Sequence, residues 1–260
     1  MKSLSEASAQ EQLLMERLSQ VYKSATDGDL YRVLCDYQNE DLISKNQLPS
    51  DELEIVQNII SIIDLALSSL PSQANIGDLS DFWLQHYLSK AHSLSKPYLQ
   101  EIWASLLKLE ATHAGTVPIA SLNALAQLEE ESLNWFAALC RFSINPVDPI
   151  PLIYSVEDDI YKQQGLSTRA LLELEADGLI FMRNDPGYFR KVLPPSGQIT
   201  YFGQTLGFDV SKSNDLLNIG TVVFSANGKT LAAVLTPSPV PDFLDHLKSH
   251  WTHLGYLAKD

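Results

Sequence analysis

Along the first half of the chain, apolar residues recur every three or four positions, the period of an amphipathic helix. Leu14, Leu18 and Val21 share one face of a helix expected near residues 4–25, which Ser3 and Glu6 open as a capping box. Asp27-Gly28-Asp29 restarts the chain, and Leu30, Val33, Leu34 and Tyr37 give a second amphipathic helix that ends before Asn46 and Pro49. A third runs from Ser50 to Pro71 with Ile55, Ile59, Ile62, Ile63 and Leu67 as its apolar stripe, making it the most central. Ser80 caps a fourth helix carrying Trp83, Tyr87, Leu88 and Ala91. Pro97 opens a fifth, which buries Leu99, Ile102, Trp103, Leu106 and Leu107 and ends at Gly115. Two shorter helices are expected near 118–127 and 129–141, completing an α-helical bundle.

The pattern then changes. Residues 1–145 hold 3 of the 12 glycines and 4 of the 13 prolines, and the remaining 115 residues hold nine of each. Both residue types interrupt helices, so the second segment cannot be mainly helical. The Asn145-Pro146-Val147-Asp148-Pro149-Ile150-Pro151 stretch reads as a linker, dividing a bundle (1–145) from a smaller α+β domain (146–260). In the latter, helices near Val156–Gln164 and Thr168–Asp177 lead into short extended runs at Leu179–Arg183, Gln198–Phe202 and Gly220–Phe224. Helix, helix and a small hairpin sheet make a winged-helix-like arrangement. A helix opening at Ser225 and a C-terminal helix from Pro241 finish a mainly α chain.

Composition narrows the function classes. With 32 acids against 18 bases the net charge is −14, which repels phosphate backbones and disfavours nucleic acid as a general partner. The excess belongs mainly to the bundle, where 19 acids meet 9 bases, against 13 and 9 in the second segment. Cys35 and Cys140 read as buried thiols of a reducing compartment, and the N-terminus lacks the apolar run of a secretory signal, so a cytoplasmic location is expected. Interrupted by Gln57, Asn58, Ser61 and Asp64, the most apolar stretch, Ile55–Leu70, predicts no membrane span.

Candidate chemistry is sparse. His246, His250 and His253 lie within about 60° of one another on the terminal helix and are the candidate metal ligands, set against a solvated face opposite Phe243, Leu244, Leu247, Trp251 and Leu254. Glu110 and His113 have the i, i+3 spacing of one half of a di-iron carboxylate site but no second pair, so a helix-end role fits them better. Glu129, Glu130 and Glu131, like Glu157, Asp158 and Asp159, suit helix first turns. Gly203 and Gly207 read as sheet or bulge glycines. From 160 to 191 the five bases Lys162, Arg169, Arg183, Arg190 and Lys191 face four acids, too balanced for a DNA footprint. No nucleophile elbow, HExxH helix, phosphate loop or CxxC pair occurs, so no catalytic residue and no cofactor is expected.

The run Leu99-Gln100-Glu101-Ile102-Trp103-Ala104-Ser105-Leu106-Leu107-Lys108-Leu109-Glu110, with Gly115, Ser121-Leu122 and Leu125, resembles an uncharacterised bacterial domain family similar to the abortive-infection alpha proteins of phage defence. Leu171 to Ile180 and Phe224 to Leu231 resemble the winged-helix-like pieces that close such chains. The resemblance implies a bacterial cytoplasmic protein with a role in phage defence and supplies no catalytic residues. The expectation is a non-enzymatic interaction or regulatory module with a protein partner. The alternatives are a winged-helix nucleic-acid-binding regulator and a metal-dependent enzyme built on His246, His250 and His253.

Overall fold

The computed structural model describes residues 13, 14, 16–18, 20, 21, 50–71 and 73–257. The expected helix over 30–45 lies outside the described residues, as does Cys35. The chain is mainly helical, 50% helix against 14% strand, with small two-stranded sheets in its C-terminal half. It divides into two compact units, Met1–Gln127 and Leu128–Asp260.

In the first unit the described residues between 13 and 21 are helical and bury Leu14, Leu18 and Val21, the expected stripe. The Arg17 guanidinium donates to the carbonyls of Ile76 and Leu79 (both 2.5 Å) and pairs with Asp81 at 2.6 Å, tying this helix to the turn at Ile76–Asp78. Helix α1 (Ser50–Leu67) packs on α3 (Pro97–Thr112), and α2 (Asp81–Ala91) on α4 (Ile119–Leu125). The Ser80 hydroxyl caps α2 by accepting from the Trp83 N–H, and Pro97 starts α3 with its ring in the first turn, as expected. Between α2 and α3 the rings of Trp83, Tyr87 and Trp103 stack in series. Tyr87 and Trp103 also exchange hydrogen bonds: the Tyr87 hydroxyl donates to the Trp103 carbonyl (3.1 Å), and the Trp103 indole to the Tyr87 carbonyl (3.3 Å). Each ring thus buries its surface without leaving a polar atom unpaired.

Helix α5 (Glu130–Cys140) belongs to the second unit, although its position in sequence had suggested the end of the bundle. Its side chains explain the assignment: Phe136 packs on Phe224, and Trp135 lies under the Arg169 guanidinium. Strands β1 (Ser143–Ile144) and β2 (Ile150–Pro151) pair across the proline stretch, so the expected linker is a tight hairpin with Ile144, Ile150 and Leu152 buried. The helix expected over 156–164 is one turn, α6 (Asp159–Lys162), because the chain before it is held extended: the Ile153 carbonyl accepts from the N–H and hydroxyl of Thr221. Helix α7 (Thr168–Ala176), capped by Ser167, leads through Gly178 into β3 (Ile180–Met182).

Strand β3 pairs antiparallel with β8 (Val222–Phe224), β4 (Phe189–Lys191) with β7 (Leu216–Asn218), and β5 (Ser196–Tyr201) with β6 (Gln204–Asp209). The β5–β6 turn is Phe202-Gly203, at φ 43° and 82°, the left-handed pair that a two-residue hairpin requires. Glu175 reaches from α7 to accept the Met182 N–H at 2.7 Å, occupying a backbone donor of β3. Helix α8 (Ala226–Ala232) follows β8, and α9 (Phe243–Leu254) closes the chain. Phe243 packs edge-on against Phe142 and tilted on Tyr201, and Trp251 edge-on against Phe208, so the apolar stripe of α9 covers the core of this unit. Arg141 secures the segment before α9 by donating to the carbonyls of Ser238 and Pro239 and to the Gln164 side chain.

Candidate functional site

The expected polar constellation lies on α9, where the structure gives each histidine a different partner. His246 Nε2 is shut off from solvent, takes no hydrogen bond, and stands 3.5 Å from Asp158 Oδ2 at the start of α6. His250 stacks on the Tyr154 ring, 3.9 Å between centroids. His253 Nδ1 meets the Ser249 carbonyl of its own helix at 2.7 Å and is exposed. The sequence had suggested a solvated face. Instead His246 and His250 are half-buried, because Tyr154, Asp158 and Tyr161 are folded over them. Among the described residues no group of three or more His, Cys, Asp or Glu side chains is arranged to hold a metal ion.

The surroundings are fixed by hydrogen bonds that no local pattern announces. The Trp251 indole donates to the Tyr154 hydroxyl (2.8 Å), which in turn donates to the Asn218 carbonyl (3.1 Å), and the Tyr161 hydroxyl donates to the Leu152 carbonyl (2.8 Å). Burial drives the Tyr154 and Tyr161 phenols far above their ordinary range, so both stay neutral. Burial also lowers the His250 pKa. The neighbouring His246 adds to this, Asp158 opposes it, and His253 contributes a further small decrease.

The other candidates have structural roles. Glu110, 3% exposed, accepts the Gly115 N–H (2.7 Å) with one oxygen and the Val117 N–H (2.8 Å) with the other, tying down the loop after α3. His113 is the exposed C-cap of that helix. Glu130 and Glu131 occupy the first turn of α5. Glu157 pairs with Lys162 at 2.9 Å, and that hydrogen-bonded cation lowers its pKa. Gly203 forms the β5–β6 turn and Gly207 sits in β6 opposite Gln198.

A second feature emerges on α7 and the strands after it. Leu172 (53% exposed), Phe181 (54%), Phe189 (45%) and Leu193 (75%) present large apolar side chains to solvent within 22 residues of chain. The bases of the same stretch are mostly engaged. Lys162 pairs with Glu157, Arg190 approaches Asp148 at 3.6 Å, and Arg169 and Arg183 lie over the rings of Trp135 and Tyr188. The exposed side of α7 carries Arg169, Leu172 and Glu173, one base among apolar and acidic neighbours.

The motif Phe224-Ser225-Ala226-Asn227-Gly228 also acquires a physical meaning. The Ser225 hydroxyl donates to the Gly178 carbonyl (2.6 Å) and accepts the Gly228 N–H (3.0 Å), while the Ser225 N–H donates to the Leu179 carbonyl (3.0 Å). The start of α8 is thereby fastened to the junction of α7 and β3, the elements that carry Leu172 and Phe181.

Among the described residues no helix is long and apolar enough to cross a membrane. No curated protein and no solved structure matches the chain. A family model described as "Protein of unknown function (DUF2806)" matches residues 44–248, and the chain belongs to that family.

Proposed function

We propose that the chain is a non-enzymatic interaction module whose second unit is winged-helix-like and docks another protein through α7 and the strands that follow. The element order supports the winged-helix reading: α5, the β1–β2 hairpin, α6, α7, then β3 and β8 antiparallel, with Thr221 on the other side bound to Ile153 just past β2. The observation that carries the docking reading is the group of exposed apolar side chains Leu172, Phe181, Phe189 and Leu193. Large apolar side chains left at the surface favour a protein contact, whereas a phosphate-binding surface needs unengaged bases.

Affinity capture of the full chain from its native cells, beside Leu172→Asp and Phe181→Asp variants, tests the proposal. A stoichiometric protein partner is expected with the unmodified chain and lost with variants of unchanged melting temperature. A partner-free monomer under every condition contradicts it. Duplex binding at about 50 mM salt, where phosphate contacts are strong, would replace it with the nucleic-acid regulator reading. The resemblance to abortive-infection alpha proteins adds a phage-defence setting to the proposal. Expression is then expected to lower phage plating efficiency, and unchanged plating across a phage panel removes that setting.

A further inference from the structure

Two histidines one turn apart on α9 face the same small group of side chains. His246 approaches Asp158 at 3.5 Å and lies edge-on to the Tyr161 ring at 5.8 Å, while His250 stacks on Tyr154. Tyr154 in turn holds Trp251 of α9 through its hydroxyl. The titratable groups meeting the pair are thus Asp158, Tyr154 and Tyr161 from the body of the unit, and His253 from α9 itself. Burial keeps both phenols neutral, so Asp158 is the carboxylate that faces the pair.

We propose that His246 and His250 form a proton-sensitive clasp that fastens α9 to the start of α6 and to Tyr154 when at most one of them is charged, and loosens when both are. One proton is well placed. On His246 it sits on a nitrogen that is otherwise buried and unpaired, and turns the 3.5 Å approach to Asp158 into an ion pair. Among the described residues no second carboxylate is placed to meet a second proton. On His250 it puts a cation into a half-buried stack beside the first cation. The sign follows. Because the folded-state pKa of His250 is lowered, the unfolded α9 binds more protons than the docked one as pH falls below the ordinary histidine value. Docking is therefore weakened by acid and fully restored above that value. Two cations and one carboxylate make a switch, where two neutral imidazoles make only a packing contact.

Hydrogen exchange of the full chain, corrected for intrinsic rates and followed from about pH 7.5 to about pH 5, reads the clasp directly. The expected result is a loss of amide protection confined to 241–257, larger than any loss in the β5–β6 hairpin of the same unit. His250→Phe keeps the ring stack without the charge and is expected to abolish the acid-dependent loss, while Asp158→Asn is expected to enlarge it. Equal protection of α9 at both pH values overturns the clasp, as does the same loss in His250→Phe. If His250→Phe does not fold, the ring-proton titration of His250 in the unmodified chain decides: titration below the ordinary histidine range is expected, and titration at or above it overturns the proposal. Zinc ion added at neutral pH is expected to leave α9 protection unchanged. A rise that requires His246 and His250 would overturn the proton account in favour of a metal.

Discussion

Gly228 offers a prediction whose sign separates local propensity from the packed structure. In a helix, replacing glycine by alanine gains about 1 kcal/mol, and Gly228 lies inside α8 at an ordinary backbone angle, so propensity alone predicts that Gly228→Ala stabilises. The structure predicts the reverse. A Cβ at this position would stand 2.0 Å from the Leu179 carbonyl oxygen and 3.0 Å from its carbon, with Phe136 at 3.4 Å. The obstacle is backbone, which no rotamer change can clear, so α8 must move outward from the α7–β3 junction. That movement stretches the Ser225 bonds to Gly178, Leu179 and Gly228. Overpacking strain of about 1–3 kcal/mol and a lost N-cap of about 1 kcal/mol, less about 1 kcal/mol of propensity, leave a net loss of about 2 kcal/mol. At roughly 4 °C per kcal/mol for a unit of this size, Tm falls by about 8 °C. Calorimetry of the full chain with Gly228→Ala, Ser225→Ala and the double variant tests this. The double variant is expected to lose less than the sum of the two, since either change alone breaks the same cap. An unchanged or raised Tm in Gly228→Ala refutes the close approach.

Other outcomes follow from the same geometry. Glu110→Ala leaves the N–H groups of Gly115 and Val117 without their acceptor, and a loss of about 2–3 kcal/mol is expected by urea denaturation, with little recovery in Glu110→Asp, whose side chain is one methylene shorter. Cys140 is buried and its thiol is held far above the ordinary range by that burial, so its peptide is expected to resist iodoacetamide at mildly alkaline pH until the chain is unfolded, as read by mass spectrometry. Arg141→Ala removes the anchor of the Ser238 and Pro239 carbonyls, and faster hydrogen exchange is expected in the segment before α9 than in the β5–β6 hairpin.

What the sequence disclosed depends on how local the governing contact is. Helix α3 is written in adjacent residues, with Pro97 for its start and a stripe through Leu99, Trp103 and Leu106, and the structure places it there. The β5–β6 hairpin was half legible: the first strand was expected, while in the second only Gly203 and Gly207 drew notice, although Leu206 and Phe208 are buried in alternation with Gly207 and Asp209. Strand β4 was invisible because Phe189, Arg190 and Lys191 are all exposed and no hydrophobic period marks them. The stripe on α9 was read too far: Phe243, Leu247 and Trp251 are buried, whereas Leu244 is partly covered and Leu254 is 37% exposed. The histidine face was visible at helical spacing, yet its partners Asp158 and Tyr154 lie some ninety positions upstream. No pattern within α9 could disclose that two of the three rings are covered. The exposed apolar group from Leu172 to Leu193 was hidden for the opposite reason: each residue alone resembles a core position, and only burial in the folded unit distinguishes the four that remain outside.

The docking proposal rests on that group, and its most direct measurement is a hydrogen-exchange footprint of the full chain with and without the captured partner. Protection gained on α7 and on β3 to β4, residues 168–193, and lost together with partner binding in Leu172→Asp, is the predicted result. A footprint that leaves 168–193 unprotected while the partner is bound would contradict the account.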